Sequence, residues 1–578
     1  MHLTSCYTPF ILAVQLALIF SGPGVNSFEG QAASVLIRGG TLIDGTGAAP
    51  LNDVRILIED GVITRIWTPD TAGDRAPVAG IPTIDAKGKF ILPGLIDSHV
   101  HYREYMGDLF LSHGVTTVLD LGNPYHWQKA VQRGLDTGRF HGPRFYFCGG
   151  PALSEAEEAE LPSISRRNEP FGFMLRPDDA RQIVQAAKQQ SDCLKLNEQF
   201  AGELFAPLAT EAKASGLAVV SHSLEAVKSA DWGITGIEHM VGVAIATIRA
   251  PAGRQAVAEM RIVAGHKNSG LYRWMEAEHF DQVIQHLVKR NVYINPTLGF
   301  EWKALSDRSA AHEAEDMRLF NRPDLQYVPL DERLLSLGQY HWPDRLPKTQ
   351  KAQFVEGYRK VQEFLRRFAA AGGKIYAGTD SAAATTPGLS LHHEMELLVD
   401  AGLSPMHALQ AATKFGAELL GPNSKLGTIE AGKLADLILL TDDPLQDIRN
   451  SKSIEMVLKA GKVQQIGYDA SHVLPIPHPG PISKHLYNPV PHIGDVQPPV
   501  ANRTDAVSLR ITGRGFLPST VVTLDRYVLA TRVIGSTELI ATLPAHVTAQ
   551  SGSLSIVVRN PKPGGGDSNA VPFIISER

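Results

Sequence analysis

The sequence predicts an α/β protein built around a (β/α)8 barrel, with a small β-sandwich domain assembled from both flanks and a separate all-β sandwich at the C-terminus. Three observations support this prediction. The middle of the chain alternates short apolar runs with amphipathic helical stretches, which is typical of parallel βα units. Strand-like alternation of apolar and polar residues flanks that middle on both sides. A third alternating region follows a proline-rich stretch.

Composition narrows the class of protein. The chain has 578 residues, of which 43% are hydrophobic and 20% charged, as in ordinary globular proteins. Lys and Arg number 55 against 60 Asp and Glu, so the chain lacks the basic excess of nucleic-acid-binding proteins. Its three cysteines, Cys6, Cys148 and Cys193, cannot form a disulfide framework and contain no CxxC pair. We therefore expect no nucleic-acid partner. A bound metal would be held by His, Asp, Glu or a less usual ligand.

The N-terminus resembles a signal peptide in its apolar core. Residues 10–20 (FILAVQLALIF) are too short to span a bilayer as a helix, and the small residues of SGPGVNS follow them. A cut near Ser27 would remove residues 1–27, including Cys6, and leave two thiols, although MHLTSCYT lacks the usual positive charge. We expect an exported protein, periplasmic or secreted, without a transmembrane span; the alternative is an N-terminal stub that is retained.

Two strand-rich pieces flank the barrel. Residues 33–89 contain SVLIRGGTLIDGTG and DVRILIEDGVITRIW, and residues 424–470 contain GTIEAGKLADLILLTDDP and IEMVLKAGKVQQIG. Both alternate apolar and polar residues and turn at glycines. They predict one composite β-sandwich domain. Residues 90–423 between them contain helical stretches such as FVEGYRKVQEFLRRFAAAGG, whose glycines provide C-caps, and form the predicted barrel.

The C-terminal region begins with a stiff linker. Residues 471–500 contain eight prolines, and we assign residues 471–492 to the linker. Residues 493–576 alternate short strands with Gly, Pro and Asn turns, which predicts a β-sandwich of its own.

Candidate metal ligands follow the barrel strands, where barrel enzymes place their chemistry. His99 and His101 are two apart in FILPGLIDSHVHYRE, so both point to the same side of an extended strand. In CLKLN, alternation turns Lys195 into the barrel, where an unpaired ammonium is costly. Carboxylation by carbon dioxide would convert this lysine into a metal-bridging carbamate. An ion-paired lysine, or a different strand register, is the alternative.

Three more residues continue the series. His222 ends the apolar run of LAVVSHSL, His239 ends GITGIEHM, and Asp380 lies in GGKIYAGTDSAA, where the eighth strand should finish. Each alone is weak evidence of a site. Their order and their spacing along βα units make the combination specific.

With these residues the chain resembles the metal-dependent amidohydrolase superfamily, in its imidazolonepropionase-like and prolidase-like branch. The matching stretches cover about residues 35–467 and include LPGLIDSHVH, LKL, SHSLEAVKSADWGITGIEHM, NPTLG, AGTDSA and LGTIEAGKLADLILLTDDPL. Residues 493–576 resemble an immunoglobulin-like IPT/TIG domain through ITGRGFLPSTVV and NPKPGGGDSNAV. The resemblance implies a TIM barrel fold with hydrolase activity on carbon–nitrogen bonds.

The resemblance also implies roles for the site residues. His99 and His101 would hold the more buried of two divalent ions, His222 and His239 the more exposed one, and carboxylated Lys195 would bridge them. Zinc is the expected metal, although manganese or cobalt suits the same ligands. A hydroxide shared by the ions would attack an amide carbonyl, and Asp380 would take its proton and return it to the leaving nitrogen.

Two other functions remain open at this point. A mononuclear deaminase or cyclic-amide hydrolase, of the imidazolonepropionase type, would use Glu225 of an HxxE motif as the proton shuttle; as a structural residue, Glu225 would belong to the first turn of a helix. The third possibility is an exported binding protein whose barrel has no catalytic activity. It would attach to carbohydrate or a cell surface through its C-terminal domain.

The substrate is less well specified. Dipeptides and N-acyl amino acids suit an exported small-molecule hydrolase, and a homo-oligomer is compatible with the sequence. The stretch 301–369 is longer than a loop needs and predicts either a lid or a helical insertion packed on the barrel. Candidate substrate contacts near strand ends are Tyr102, Arg103, Tyr105, Tyr293 and Thr297.

Overall fold

The computed structural model describes residues 34–577, apart from residues 71–79, 151–176, 197–201, 260–269, 383, 422, 478–489, 504, 518–519, 526 and 561–565. The predicted signal peptide, residues 1–27, and most of the predicted linker lie outside the described residues. Among the helices of the described residues, none combines the length and the apolar composition that crossing a membrane requires.

A parallel barrel forms the centre of the chain. Seven strands pair in sequence order: Leu95–Val100, Val115–Asp120, Arg144–Gly149, Cys193–Leu196, Val219–Ser221, Gly236–Glu238 and Tyr293–Asn295. The segment from Ile375 to Ser381 closes the ring, because Ile375 bridges to Ile294 and Ser381 bridges to Val100, both in parallel. This eighth strand confirms the predicted (β/α)8 barrel.

Amphipathic helices surround the strands. The helix Phe280–Lys289 buries Phe280, Val283, Ile284 and Leu287, a spacing that places its apolar residues on one face toward the barrel. Within the part of the chain that the structure describes, the other helices before the insertion are Gly107–Ser112, Tyr125–Asp136, Ala180–Gln190, Gly202–Ala214, Ala226–Trp232, Val241–Thr247 and Pro251–Glu259. Those after the insertion are Leu389–Asp400, Pro405–Ala411 and Lys414–Leu419.

Residues 301–369 form a helical insertion that packs on the barrel. Its helices are Ser309–Phe320, Leu330–Gly338 and Lys348–Ala370, preceded by the short helix Leu298–Glu301. Trp302 is fully buried and stacks on Tyr358 at 5.3 Å between ring centroids. Lys303 donates hydrogen bonds to the carbonyls of Ser336 and Ala384, which ties the insertion to the loop after the eighth strand.

The two sides of the barrel strands contact different cores. Leu194 and Leu196 belong to the large core between strands and helices. Cys193 belongs instead to a cluster with Cys148, Val220 and Tyr376 from other barrel strands, which is the interior of the barrel. Lys195 has the same strand parity as Cys193, so alternation directs its side chain inward.

One disulfide corrects the expectation of two free thiols. Cys148 and Cys193 are bonded to each other. They lie opposite one another on the third and fourth barrel strands. The low cysteine count excludes a framework of several bridges but does not exclude a single bond, which depends on strand register.

The composite domain contains strands from both flanks. Its eight-stranded sheet comprises Val35–Leu42, Leu51–Glu59, Val62–Trp67, Thr83–Asp85, Phe90–Pro93, Leu437–Leu440, Ile454–Lys459 and Lys462–Val463. Ile37, Ile56, Ile91 and Leu437 contribute to a core of its own. The sequence assigned Phe90–Pro93 to the barrel; the structure pairs this strand with Leu437–Leu440, because its hydrogen bonds join the two flanks.

The C-terminal region is all-β, as predicted. The described residues of this region contain nine strands: His492–Gln497, Val500–Asn502, Val507–Arg514, Val521–Leu524, Tyr527–Gly535, Glu538–Leu543, Gly552–Asn560, Gly566–Asp567 and Val571–Ser576. Leu509, Ile511, Val522 and Phe573 belong to a hydrophobic core distinct from that of the barrel.

Candidate active site

Four histidines and an aspartate converge at the carboxyl end of the barrel. The backbone N–H of Asp380 donates to the carbonyl of His99 at 2.8 Å, and that of His239 donates to the carbonyl of Asn295 at 2.8 Å. The N–H of His222 likewise donates to the carbonyl of Leu196 at 3.1 Å. Each residue that follows a strand is therefore held in register by the neighbouring strand.

The side chains form two overlapping groups. His99, His101 and Asp380 form one group, and His99, His222 and His239 form the other; within each group the candidate ligand atoms lie within 4.8 Å of one another. Asp380 Oδ1 lies 3.0 Å from His101 Nε2 and 3.4 Å from His99 Nε2. The rings of His222 and His239 are 4.8 Å apart between centroids. The arrangement suits divalent cations with imidazole and carboxylate ligands.

The protonation states fit metal binding. Burial lowers the pKa of His239 well below its ordinary value, so its imidazole is neutral and can present a lone pair. Burial opposes ionisation of Asp380, but His99 and His101 outweigh it and hold the pKa of this carboxyl below its usual range. A neutral imidazole and an ionised carboxylate are the forms that ligate a cation.

Lys195 lies on the fourth strand, directly before the described part of that strand ends. Its side chain is buried, with 8% exposed, and Lys195 is opposite Val220 on the fifth strand. Its charge contributes to lowering the pKa of Glu238, so the two groups are near each other inside the barrel. The inward direction predicted for the Lys195 side chain agrees with the hydrophobic clusters to which its neighbours Leu194, Cys193 and Leu196 belong.

Glu238 is a site residue that sequence reasoning missed. Its Oε2 lies 2.6 Å from His99 Nδ1, and the same carboxylate accepts hydrogen bonds from Asn295 Nδ2 and Tyr376 OH. Burial opposes its ionisation, yet His99 and Lys195 hold its pKa far below the ordinary value. An ionised Glu238 fixes Nδ1 of His99 as the protonated nitrogen and leaves Nε2 to face Asp380. The alternation argument used for Lys195 would also have predicted Glu238. Ile237 faces outward, so the next residue on the strand, Glu238, faces the barrel interior.

Thr297 and Glu301 surround His239. Thr297 was predicted to contact substrate, but its Oγ1 lies 2.6 Å from His239 Nδ1 and orients that ring. Glu301 Oε1 is 3.8 Å from the same nitrogen, and its Oε2 accepts a hydrogen bond from Tyr272 OH. Burial raises the pKa of Glu301 to about 7. Glu301 opens the insertion, so the insertion contributes a titratable group beside the histidines.

The backbone is strained at three of these residues. His239, Thr297 and Asp380 have φ values of 61°, 45° and 57°, in the left-handed region that non-glycine residues seldom occupy. Such conformations persist where the surroundings over-determine them, and they cluster at functional sites. At Asp380 the constraint comes from Asp97, which accepts hydrogen bonds from the N–H and hydroxyl of Thr379.

The structure does not bring the predicted aromatic contacts to the site. Tyr102 is fully buried between helices and strands and packs on Phe110 and Phe145. Tyr105 is buried and hydrogen-bonded to Glu332 of the insertion. Tyr102 and Tyr105 follow the strand but turn outward, because the chain leaves the barrel after His101.

Tyr293 and Arg103 also have other partners. Tyr293 begins the seventh strand instead of ending it, and its OH donates to Glu418 and accepts from Lys374 at the opposite end of the barrel. Arg103 Nη1 donates to the carbonyls of His101 and Tyr102 and to Asn123 Oδ1. It thus supports the backbone of a metal-ligand candidate.

Glu225 of the HxxE motif lies at the surface. Its carboxylate pairs with Lys228 Nζ at 2.5 Å, and its side chain is 46% exposed. It precedes the helix Ala226–Trp232, whose first turn explains the acidic residue without a catalytic role. The described structure therefore does not place Glu225 among the histidines.

Comparisons with known proteins agree with this geometry. Residues 109–464 match the model of the Amidohydrolase family, and residues 491–575 match the IPT/TIG domain. Sequence matches to curated relatives are local: the first relatives are matched over 14–15% of their own length. An N-acyl-D-aspartate deacylase of Alcaligenes xylosoxydans xylosoxydans is 37% identical over 92 residues, which are 15% of this chain and 17% of that protein.

Solved structures share the fold over most of the chain. A Xaa-Pro dipeptidase has a TM-score of 0.50 at 20% identity and covers 75% of this chain and 100% of its own. The ochratoxinase of A. niger has a TM-score of 0.53 at 17% identity and covers 78% of this chain and 100% of its own. Because the family match extends over more than half of the chain and includes three of the five converging residues, His222, His239 and Asp380, the chain belongs to the amidohydrolase family and carries an IPT/TIG domain.

Proposed function

We propose that this amidohydrolase cleaves the amide carbon–nitrogen bond of a dipeptide or an N-acyl amino acid. The observation that carries the proposal is the convergence of four histidines and Asp380 in two groups that share His99. The names of two similar proteins support this substrate class: one is an N-acyl-D-aspartate deacylase and the other a Xaa-Pro dipeptidase.

The site residues would hold two divalent ions, and zinc suits their imidazole-rich set. His99, His101, His222, His239 and Asp380 are the proposed protein ligands, with Lys195 between the ions as a carbamate formed with carbon dioxide. Bound ions of this kind lower the pKa of a water molecule and polarise a substrate carbonyl. Glu238 keeps the ring of His99 in the ligating tautomer, and Thr297 orients that of His239.

Asp380 is the proposed general base and acid. Its carboxylate is buried, ionised and flanked by His99 and His101. It would take a proton from that water and return it to the leaving nitrogen, which leaves as an amine.

A substrate screen tests the proposed reaction. The zinc-loaded protein is assayed against dipeptides and N-acyl amino acids, with release of the free amino acid as the readout. Asp380→Asn should lower kcat on the order of 100- to 10,000-fold, whereas the surface variant Glu225→Gln should retain wild-type turnover. Ammonia release without amide cleavage, together with a loss of activity in Glu225→Gln, would instead identify a deaminase.

A second experiment addresses Lys195. Lys195→Ala should lose metal and turnover together, because the bridging anion is gone. Growth or incubation with ¹³C-labelled bicarbonate should give the wild-type protein a carbamate carbon signal that the variant lacks. If metal content and turnover both survive the substitution, Lys195 is an ion-paired structural residue beside Glu238.

We also propose that the protein is exported. The disulfide between Cys148 and Cys193 supports this, because such bonds persist in oxidising compartments and are rare in the cytosol. N-terminal sequencing of the mature protein should begin near residue 28. A chain that keeps Met1 and remains in the cytoplasm would contradict export.

A further inference from the structure

A second cluster of metal-ligating side chains lies outside the candidate active site. Asp108, His141 and His472 have candidate ligand atoms within 4.8 Å of one another. Asp108 belongs to the helix Gly107–Ser112, His141 lies ahead of the third barrel strand, and His472 ends a single helical turn after the composite sheet. The three are far apart in sequence and meet only in the folded chain.

The geometry of this cluster is centred on one carboxylate. Asp108 Oδ1 lies 2.8 Å from His141 Nδ1 and 2.9 Å from His472 Nδ1, and Oδ2 is 3.2 Å from His472 Nδ1. The two imidazole rings are 4.4 Å apart between centroids. Around an ion with bonds of about 2.1 Å, neighbouring ligand atoms are about 3.0–3.4 Å apart, so the Asp108–His141 and Asp108–His472 separations are within a few tenths of an ångström of those that a cation requires.

We propose that Asp108, His141 and His472 form a second divalent-cation site, with zinc as the cation that two imidazoles and one carboxylate suit. The cation would replace the two N–H protons that the histidines now share with Asp108. This His₂Asp set leaves at least one coordination position for water.

Burial and charge support the site. The side chain of Asp108 is 2% exposed, and those of His141 and His472 are 22% and 25% exposed. Burial opposes ionisation of Asp108, but hydrogen bonds from His141, the Asp469 backbone and His472 keep its pKa below the ordinary value. The Asp108 carboxylate thus lies between two imidazoles that are both partly accessible to solvent.

A cavity of about 930 Å³ provides access. Both histidines line it, together with the basic residues Arg139, Arg144, Lys459 and Lys462 and the acidic residue Asp136. Arg144 is paired with Asp436 through two hydrogen bonds of 2.5 and 3.0 Å, which compensates its charge. Lys459 Nζ donates to the carbonyl of Gly142, and burial lowers its pKa. Arg144 and Lys459 therefore have partners of their own.

The site would anchor the segment that leaves the composite sheet. The backbone N–H of Asp469 donates to Asp108 Oδ2 at 2.7 Å, that of Leu474 donates to the carbonyl of Glu104, and Trp127 Nε1 donates to the carbonyl of Ile476. A cation between His472 and Asp108 would add a bond to this attachment, immediately before the proline-rich stretch.

Metal counting tests the proposal. The full-length protein is stripped with a chelator, reloaded with zinc and measured for ions per chain, in wild type, His472→Gln and the control His286→Gln. His286 is a fair match, because its Nε2 lies 3.1 Å from Asp231 and its side chain is 29% exposed. We expect wild type and the control to hold one more ion per chain than His472→Gln. The His472→Gln variant should keep wild-type turnover.

A cobalt titration gives an independent readout. When the stripped protein is loaded with cobalt, His472→Gln should lack one of the binding steps and one of the sets of absorption bands that wild type shows. If His472→Gln fails to fold by circular dichroism, His141→Gln takes its place in both measurements. Equal ion counts and equal cobalt spectra in wild type and the folded variant would overturn the proposal and leave a hydrogen-bonded cluster.

Discussion

At the scale of residues, Glu238 is a single buried carboxylate that contacts several residues of the site. It contacts His99, Asn295 and Tyr376 with both oxygens, and it lies close enough to Lys195 to be affected by its charge. A carboxylate behind a ligating histidine fixes its tautomer and raises its basicity. The orientation of His99 therefore depends on a residue from the sixth strand.

Removal of this charge should weaken metal binding. Glu238→Gln keeps the shape of the side chain but loses the anionic acceptor for His99 Nδ1, so metal affinity or activity should fall about 10- to 100-fold. Metal content and kcat are the measurements, with Glu225→Gln as an exposed control. Unchanged zinc affinity in Glu238→Gln would contradict the positioning role.

A second residue-scale prediction concerns pH. Burial raises the pKa of Glu332 to about 7, although Arg103 and a hydrogen bond from Tyr105 oppose the shift. The folded chain holds this proton up to about pH 7 and the unfolded chain releases it near 4.5, so stability is lost as the pH rises through that window. The loss should be on the order of 1–3 kcal/mol.

Chemical unfolding at several pH values checks this. Glu332→Gln cannot release a proton at this position. Between pH 4.5 and 7, its free energy of unfolding should therefore decline less than that of wild type. Parallel pH profiles of wild type and variant would show that Glu332 titrates as it does in the unfolded chain.

At the scale of elements, strand alternation directs both the chemistry and the cross-link. Cys193 and Lys195 point into the barrel while Leu194 and Leu196 pack against helices. Cys193, two residues before Lys195, can therefore reach Cys148 on the neighbouring third strand. The insertion contributes at this scale too, because Glu301 approaches His239 and Lys303 holds the loop after Asp380.

The disulfide should stabilise the barrel. It connects residues 45 apart in sequence, so its loss frees a long loop in the unfolded chain and should cost about 2–4 kcal/mol. Denaturant unfolding of the double variant Cys148→Ser/Cys193→Ser measures this, with reduced wild type as the matched control. If oxidised and reduced wild type unfold at the same denaturant concentration, the bond contributes nothing to stability.

At the scale of the whole molecule, the chain has separate cores. The C-terminal β-domain has its own hydrophobic cluster, distinct from those of the barrel and the composite sheet. The boundary between the catalytic part and this domain is not at residue 471, where the linker was predicted to begin. Residues 469–476 contact the barrel through His472, Leu474 and Ile476.

Removal of residues 477–578 should therefore leave amide hydrolysis intact. The proposed site residues and the 469–476 attachment all remain in this truncation. Turnover within about twofold of the full-length protein is expected, whereas a cut before residue 470 should lower the unfolding temperature, since burial and hydrogen bonds decide truncation tolerance. Loss of turnover in the longer truncation would assign the C-terminal domain a catalytic role.

Local patterns in the sequence determined the barrel, its flanking sheet, the C-terminal β-domain and the candidate ligands at 99, 101, 195, 222, 239 and 380. This was possible because strand alternation and strand ends are short-range features. Only the tertiary structure decided which residues stand behind those ligands. Glu238, Thr297 and Glu301 reach the histidines, Tyr102 and Tyr293 do not, and Cys148 meets Cys193, because these contacts depend on how distant segments register against one another.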